Sequence, residues 1–146
     1  MKPVVQRPKY LVRRGQALVE FAIGLTVLLL LVFGVIDLGR AVFAYNSIAH
    51  CAREGTRYAI VHGSQSTAPV GPTANDTTLE SWVRRFATGL QAAQLTVTSS
   101  WQGASGTPAN DPGSIVTIVV GYNFQPATLF FLPLSLRSQS SGMVVN

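Results

Sequence analysis

The apolar and polar positions of this chain fall into three regimes. Residues 17–36 form one apolar run of twenty positions whose single ionisable group is Glu20. At 1.5 Å per residue a helical run of that length spans about 30 Å, the thickness of a bilayer's hydrocarbon core. Beyond the run the apolar positions take up a helical period. Leu38, Ala41, Tyr45, Ile48, Ala52, Gly55 and Ala59 recur at spacings of three and four, as on one face of a helix or a coiled-coil-like seam. Asp37 with Arg40, and Glu54 with Arg57, are i,i+3 pairs that suit a solvated opposite face. No proline lies between Pro8 and Pro69. The pattern predicts one continuous helix from near Ala17 to near Val61.

The third regime is mixed. Residues 63–76, rich in Gly, Ser, Thr and Pro, read as a loop. Thr77-Thr78-Leu79-Glu80 has the spacing of a capping box, and Leu79, Val83, Phe86 and Leu90 follow at helical spacing. A second, short helix is therefore expected to run to about Ala93. Leu95, Val97 and Trp101 alternate loosely with Thr96, Thr98 and Ser100, as in a half-buried strand. Residues 102–114 are a long turn region. Val116, Ile118, Val120, Tyr122 and Phe124 are expected to share one face of the clearest strand. Pro126 and Pro133 bracket an apolar stretch ending in Leu129-Phe130-Phe131-Leu132, which reads as domain core or as a contact for lipid or a partner. Residues 134–145 supply a third strand, interrupted near Gly142. The fold class is α+β: a long N-terminal helix, half transmembrane and half extracytoplasmic, then a short helix and a small antiparallel sheet of about three strands. Three strands with a helix across one face make the smallest sheet of independent stability.

Charge changes the picture more by position than by sum. The formal net charge is +5, but five of the 11 cations, Arg13 and Arg14 among them, precede Gly15 with no acid beside them. The six cations after Gly15 match the six acids. The excess is a topology signal that keeps the N-terminus cytoplasmic, rather than a nucleic-acid surface. The later doublet Arg84-Arg85 reads as a solvated helix face. Cys51 is the one cysteine, so no intramolecular disulfide forms. It reads as a small buried hydrophobe, with an intermolecular bridge as the other reading.

The chemistry sits where the leader meets the apolar run. In Arg13-Arg14-Gly15-Gln16-Ala17-Leu18-Val19-Glu20-Phe21, a glycine closes a basic segment and a glutamate follows five residues later. Glycine permits an extended, accessible backbone at a cut. A cut there creates an α-amino group one helical turn from Glu20. A carboxylate in hydrocarbon needs a partner or water. That partner is the chain's own new amine, a neighbouring subunit's, or water reached from near the interface.

This stretch resembles the class III signal of type IV pilin-like proteins. The resemblance implies cleavage between Gly15 and Gln16 by a membrane-embedded prepilin peptidase, with Glu20 and Phe21 acting in processing and assembly. It extends through 33–40, Tyr45-Asn46, and Ala52-Arg53-Glu54-Gly55-Thr56-Arg57-Tyr58-Ala59 to the TadE-like family, pseudopilins of the tight-adherence (Flp-type) pilus system. About the first sixty residues carry the likeness. Asp37, Arg40, Arg53, Glu54, Gly55 and Arg57 are the family-like positions of the helix. Thr26 stands where many relatives carry a proline, so the kink a proline would bring is not implied here. The resemblance implies a minor pilin or assembly factor. Its implied partners are the cytoplasmic membrane, the prepilin peptidase, other pilins and pseudopilins, and the pilus assembly platform.

Three domains follow as expectations: a cleavable leader at 1–15, a long helix at 16–62 crossing the membrane at about 17–36, and an extracytoplasmic α+β domain at 63–146. The expected location is the bacterial inner membrane, single-pass with the C-terminus outside, or a pilus built from it. His50 and His62 are twelve residues apart without a carboxylate or thiol at ligand spacing, so no metal is assigned. No phosphate loop, nucleophile elbow or Cys-x-x-Cys occurs. No catalytic residue, enzyme activity, cofactor or nucleic-acid partner is assigned. Two other readings stay open. One is an unprocessed single-pass anchor presenting a binding domain, for which Gly15 and Glu20 are dispensable. The other is a secreted protein cut after Val42-Phe43-Ala44, against which stand the length of the apolar run and the charges Asp37 and Arg40.

Overall fold

The computed structural model describes residues 10–128 and 132–146, with side chains from Gly15 onward. The expected leader up to residue 9, the side chains of Arg13 and Arg14, and Leu129, Phe130 and Phe131 lie outside the described residues. Helix α1 is Tyr10–Val61 and helix α2 is Thr77–Arg85. A 3-10 turn at Ala92–Gln94 leads into strands β1 (Leu95–Gln102), β2 (Ile115–Phe124) and β3 (Leu134–Met143). The strands form one antiparallel sheet in the order β1-β2-β3. The α+β class and the order of its elements are those expected from the pattern.

The chain divides into two compact units, one ending at Leu38 and the other Gly39–Asn146. In the first, α1 is apolar and bare. The most apolar window of Gly15–Val61 has a mean hydropathy of 2.6, and none of it is buried. Thr26, at the position without proline, donates its hydroxyl to the Ala22 carbonyl at 2.8 Å, which occupies the side chain without breaking the helix. The helix starts at Tyr10, not near Ala17. Between Tyr10 and Gln16 the sequence has no proline and only one glycine, so nothing local stops helical growth upstream of the apolar run.

In the second unit the inner face of the sheet is the core. Leu95, Trp101, Val116, Ile118, Val120, Tyr122 and Phe124 are buried together with Ile48, Cys51, Ala52 and Ala59 of α1 and Leu79 and Val83 of α2. The register Leu95↔Tyr122 and Trp101↔Val116 puts these residues on one side, as alternation demands. Cys51 is a free, buried thiol, as its small-hydrophobe reading expects.

The buried stripe of α1 differs from the expected seam at its upstream end. Leu38 is 65 % exposed and Tyr45 49 %, whereas Ala44 is buried. Asp37, expected on a solvated face, is only 4 % exposed. Asp37, Ala41, Ala44, Ile48, Cys51 and Gly55 are themselves spaced four, three, four, three and four apart, so two adjacent stripes fit the same periodicity. Small side chains favour the inner one, because the backbone approaches its neighbours more closely there. Arg40 lies over the Phe124 ring at 5.4 Å.

Four further expectations are corrected. The N-cap of α2 is Asp76 rather than Thr77, with its carboxylate accepting from the Thr78 and Leu79 N–H groups. Glu80 is therefore not a capping-box partner and pairs with Arg84 at 2.7 Å. Helix α2 ends at Arg85 instead of near Ala93. Gly89, at φ +78°, takes a left-handed conformation that no helix continues. Arg84 is a clamp, not a free solvated charge: its guanidinium also donates to the carbonyls of Ala92 at 2.9 Å and Leu95 at 3.0 Å. Finally, β3 runs unbroken through Gly142. A Cβ there would stand 2.9 Å from the methyls of Thr56 and Ile60, so glycine lets α1 close on the strand.

Candidate functional site

The sequence-derived positions fall into two separate groups. The first, Gly15, Gln16, Glu20 and Phe21, lies on the exposed, bare part of α1. Gly15 and Gln16 are helical rather than extended, because the helix begins upstream of them. Among the described residues nothing lies within 4 Å of a Cβ built on Gly15. Phe21 is 67 % exposed beside the exposed carboxylate of Glu20. In water the Phe21 ring leaves apolar surface exposed; in an apolar environment burial of such a side chain is worth about 1.5–3 kcal/mol, whereas the Glu20 carboxylate would there need a partner.

The second group lies within Gly39–Asn146. Arg53 is exposed. Glu54 and Arg57 form the expected i,i+3 pair at 3.5 Å, with Arg57 76 % exposed, so the pair adds little stability. Gly55 faces inward, against Val83 of α2 and Ile118 of β2. Next to it Thr56 donates to both the Ala52 carbonyl at 3.0 Å and the Ser140 carbonyl at 3.1 Å, tying α1 to β3. In this Arg-Glu-Gly-Thr-Arg segment the two middle residues are structural and the charged ones face out.

Glu54 and Arg57 open onto a groove of about 580 Å³ that sequence reasoning missed. Tyr58, His62, Trp82, Ile60 and Val61 complete its walls. Tyr58 is stacked between His62, with ring centroids 3.9 Å apart, and Trp82, at 4.5 Å. The Tyr58 carbonyl and His62 Nδ1 are 2.8 Å apart, which fixes the imidazole. Trp82 in turn meets Phe86 edge-on and Arg85 from above. The i,i+4 spacing of Tyr58 and His62 was visible in the chain; that Trp82 reaches them from another helix was not. Among the described residues no cluster of three or more His, Cys, Asp or Glu is placed to hold a metal ion.

The chain thus combines one helix long and apolar enough to cross a membrane, as a single-pass anchor requires, with a small helix-on-sheet domain. Residues 15–57 match the family model for TadE-like proteins. The match runs from the glycine before the apolar run to the outward-facing Arg57, and leaves α2 and the sheet uncovered. No curated protein and no solved structure matches the chain.

Proposed function

We propose that this chain is a minor pilin or pseudopilin that acts in assembling a tight-adherence (Flp-type) pilus or a related secretion machine. The observation that carries this reading is the TadE-like match over 15–57, laid along a helix whose apolar half is unburied. In this reading the helix crosses the bacterial inner membrane with Arg13 and Arg14 on the cytoplasmic side and the sheet domain outside. A prepilin peptidase cuts between Gly15 and Gln16. Glu20 then pairs with the new amine of its own or a neighbouring chain, which sets register as partner helices replace lipid. Other pilins and the assembly platform are its partners, and the protein is not an enzyme.

A second reading draws on the helical state of Gly15 and Gln16, since peptidases act on extended backbone. It is the unprocessed single-pass anchor presenting a binding domain. Intact mass and N-terminal sequencing of the full chain from membranes containing the peptidase separate the two. A start at Gln16 supports the pseudopilin; an intact Met1 supports the anchor; a start at Tyr45 overturns both.

A further inference from the structure

The two edges of the sheet are finished differently. On β1 the outward backbone is taken up: the Ser99 N–H donates to the Ala74 carbonyl at 3.1 Å, and the Leu95 carbonyl accepts from Arg84 at 3.0 Å. The outer edge of β3 is bare, and its register tells which backbone groups face out. Ser114 and Val144 extend the pairing Ile115↔Met143 by one step, and the Val144 N–H donates to the Ser114 carbonyl at 2.8 Å. Hydrogen-bonded pairs alternate along an antiparallel ladder, so even-numbered residues of β3 bond to β2 and odd-numbered ones turn their N–H and C=O groups away. Val145 keeps this parity, its N–H leaving the sheet for the Ile60 carbonyl of α1 at 2.9 Å. Ser135, Arg137, Gln139 and Ser141 are exposed, and among the described residues nothing meets their outward backbone groups.

Proteins guard open sheet edges with charges, prolines or bulges, because such an edge templates another strand. β3 has no proline, pairs with β2 over its 10 residues without a bulge, and carries Arg137 as its one charge. The occupant this edge recognises is an extended backbone. The side chains narrow it to a second copy of β3. Because only odd-numbered residues present outward groups, two such edges bond only where odd residues meet odd ones. Run antiparallel about Ser138, the strand sets Arg137 opposite the partner's Gln139 and Ser135 opposite the partner's Ser141. The Gln139 side-chain carbonyl then accepts from a guanidinium that has no partner among the described residues, hydroxyl meets hydroxyl, and no like charges face each other. We propose that two copies of this chain pair edge to edge through β3, antiparallel about Ser138, so that the order β1-β2-β3 continues as β3-β2-β1 of the second copy. This goes beyond the assembly role and does not depend on it.

The test is disulfide trapping on the full chain in detergent micelles, with oxygen as oxidant. In this register Ser138 faces its own twin in a non-hydrogen-bonded pair, with Cα atoms about 4.5 Å apart and within disulfide reach. Ser138→Cys is expected to form covalent dimer several times faster than Thr98→Cys, an exposed position on β1, and than the parent chain, whose Cys51 is buried. Added to Ser138→Cys, Gln139→Glu places an acid opposite each Arg137 and should speed trapping about fivefold, whereas Gln139→Lys places a cation there and should slow it by a similar factor. Circular dichroism melting checks the fold of each variant, and the comparison of Ser138→Cys with Thr98→Cys decides even where a charge variant misfolds. Dimer formed no faster at Ser138 than at Thr98 overturns the proposal. So does trapping that the two charge changes leave unmoved or move in the same direction. The readout involves no pilus, so its failure is distinct from failure of the assembly role.

Discussion

Gly55 of α1 sits so close to Val83 of α2 that a Cβ on the glycine would stand 2.6 Å from one Val83 methyl and 3.3 Å from an Ile118 methyl. The missing side chain is what lets the helix, α2 and the central strand meet at one point. Val83 and Ile118 are fully buried and β-branched, so neither has a free rotamer into which to retreat. Gly55→Ala is expected to lower the stability of the unit Gly39–Asn146 by about 1–3 kcal/mol through overpacking. Thermal denaturation of the full chain in micelles measures this. Val83→Ala added to Gly55→Ala should be less destabilising than the sum of the two single changes, since one makes the space the other fills.

Asp76 gives the domain an acid-sensitive point. Burial alone would raise its carboxyl, but hydrogen bonds from the N–H groups of Gly71, Leu79 and Thr78 outweigh that and hold it below its ordinary value. A folded pKa below the unfolded one contributes stability that is present above the unfolded value, near 4, and is lost as pH falls through the folded value. The melting temperature should therefore drop on acidification below about pH 4, with a shallower drop in Asp76→Asn. At neutral pH, Asp76→Ala should cost about 1 kcal/mol, the usual worth of an N-cap. A set of melting curves across pH for the three proteins settles the point.

Arg84 links the end of α2 to the start of β1 through the carbonyls of Ala92 and Leu95. Its ion pair with Glu80 is about a third exposed on each side and contributes little by itself. The carbonyl contacts matter more, because they hold the turn that follows Gly89. Arg84→Met, which keeps the apolar stem, should cost about 1–2 kcal/mol. Glu80→Gln should cost less than half of that, and equal losses in chemical denaturation would contradict the ranking.

Glu20 is exposed on the bare part of α1, so replacing it removes no core contact. Glu20→Ala should leave the melting temperature of the unit Gly39–Asn146 unchanged and, under the proposed function, sharply reduce assembled pili counted by electron microscopy. Normal pilus output from that variant would count against its proposed role in assembly.

The second half of α1 shows how far periodicity reaches. The chain contains two overlapping stripes with the same spacing, one through Leu38 and Tyr45, the other through Asp37 and Ala44. Periodicity announces a helix but not which stripe faces in. That choice depends on how closely the sheet approaches, and only the small residues permit the approach seen. Arg84 was misread for a related reason: a doublet of charges looks solvated until a turn eight residues on brings carbonyls to it. Tyr58 and His62 stood in plain view one helical turn apart, yet the groove needs Trp82, which α2 carries to them.

By itself, the sequence determined the local and one-dimensional properties of this protein. These are the apolar run long enough for a membrane, the charge asymmetry before it, the Gly15-to-Glu20 spacing, and the alternation that puts Val116 to Phe124 on one face of β2. Each depends on neighbours within a few residues, where spacing alone carries the physics. The tertiary structure decided the buried stripe of α1, the end of α2, the clamp made by Arg84 and the aromatic groove. Those depend on contacts between segments far apart in the chain, and which side chain fills which space is settled only when the segments pack.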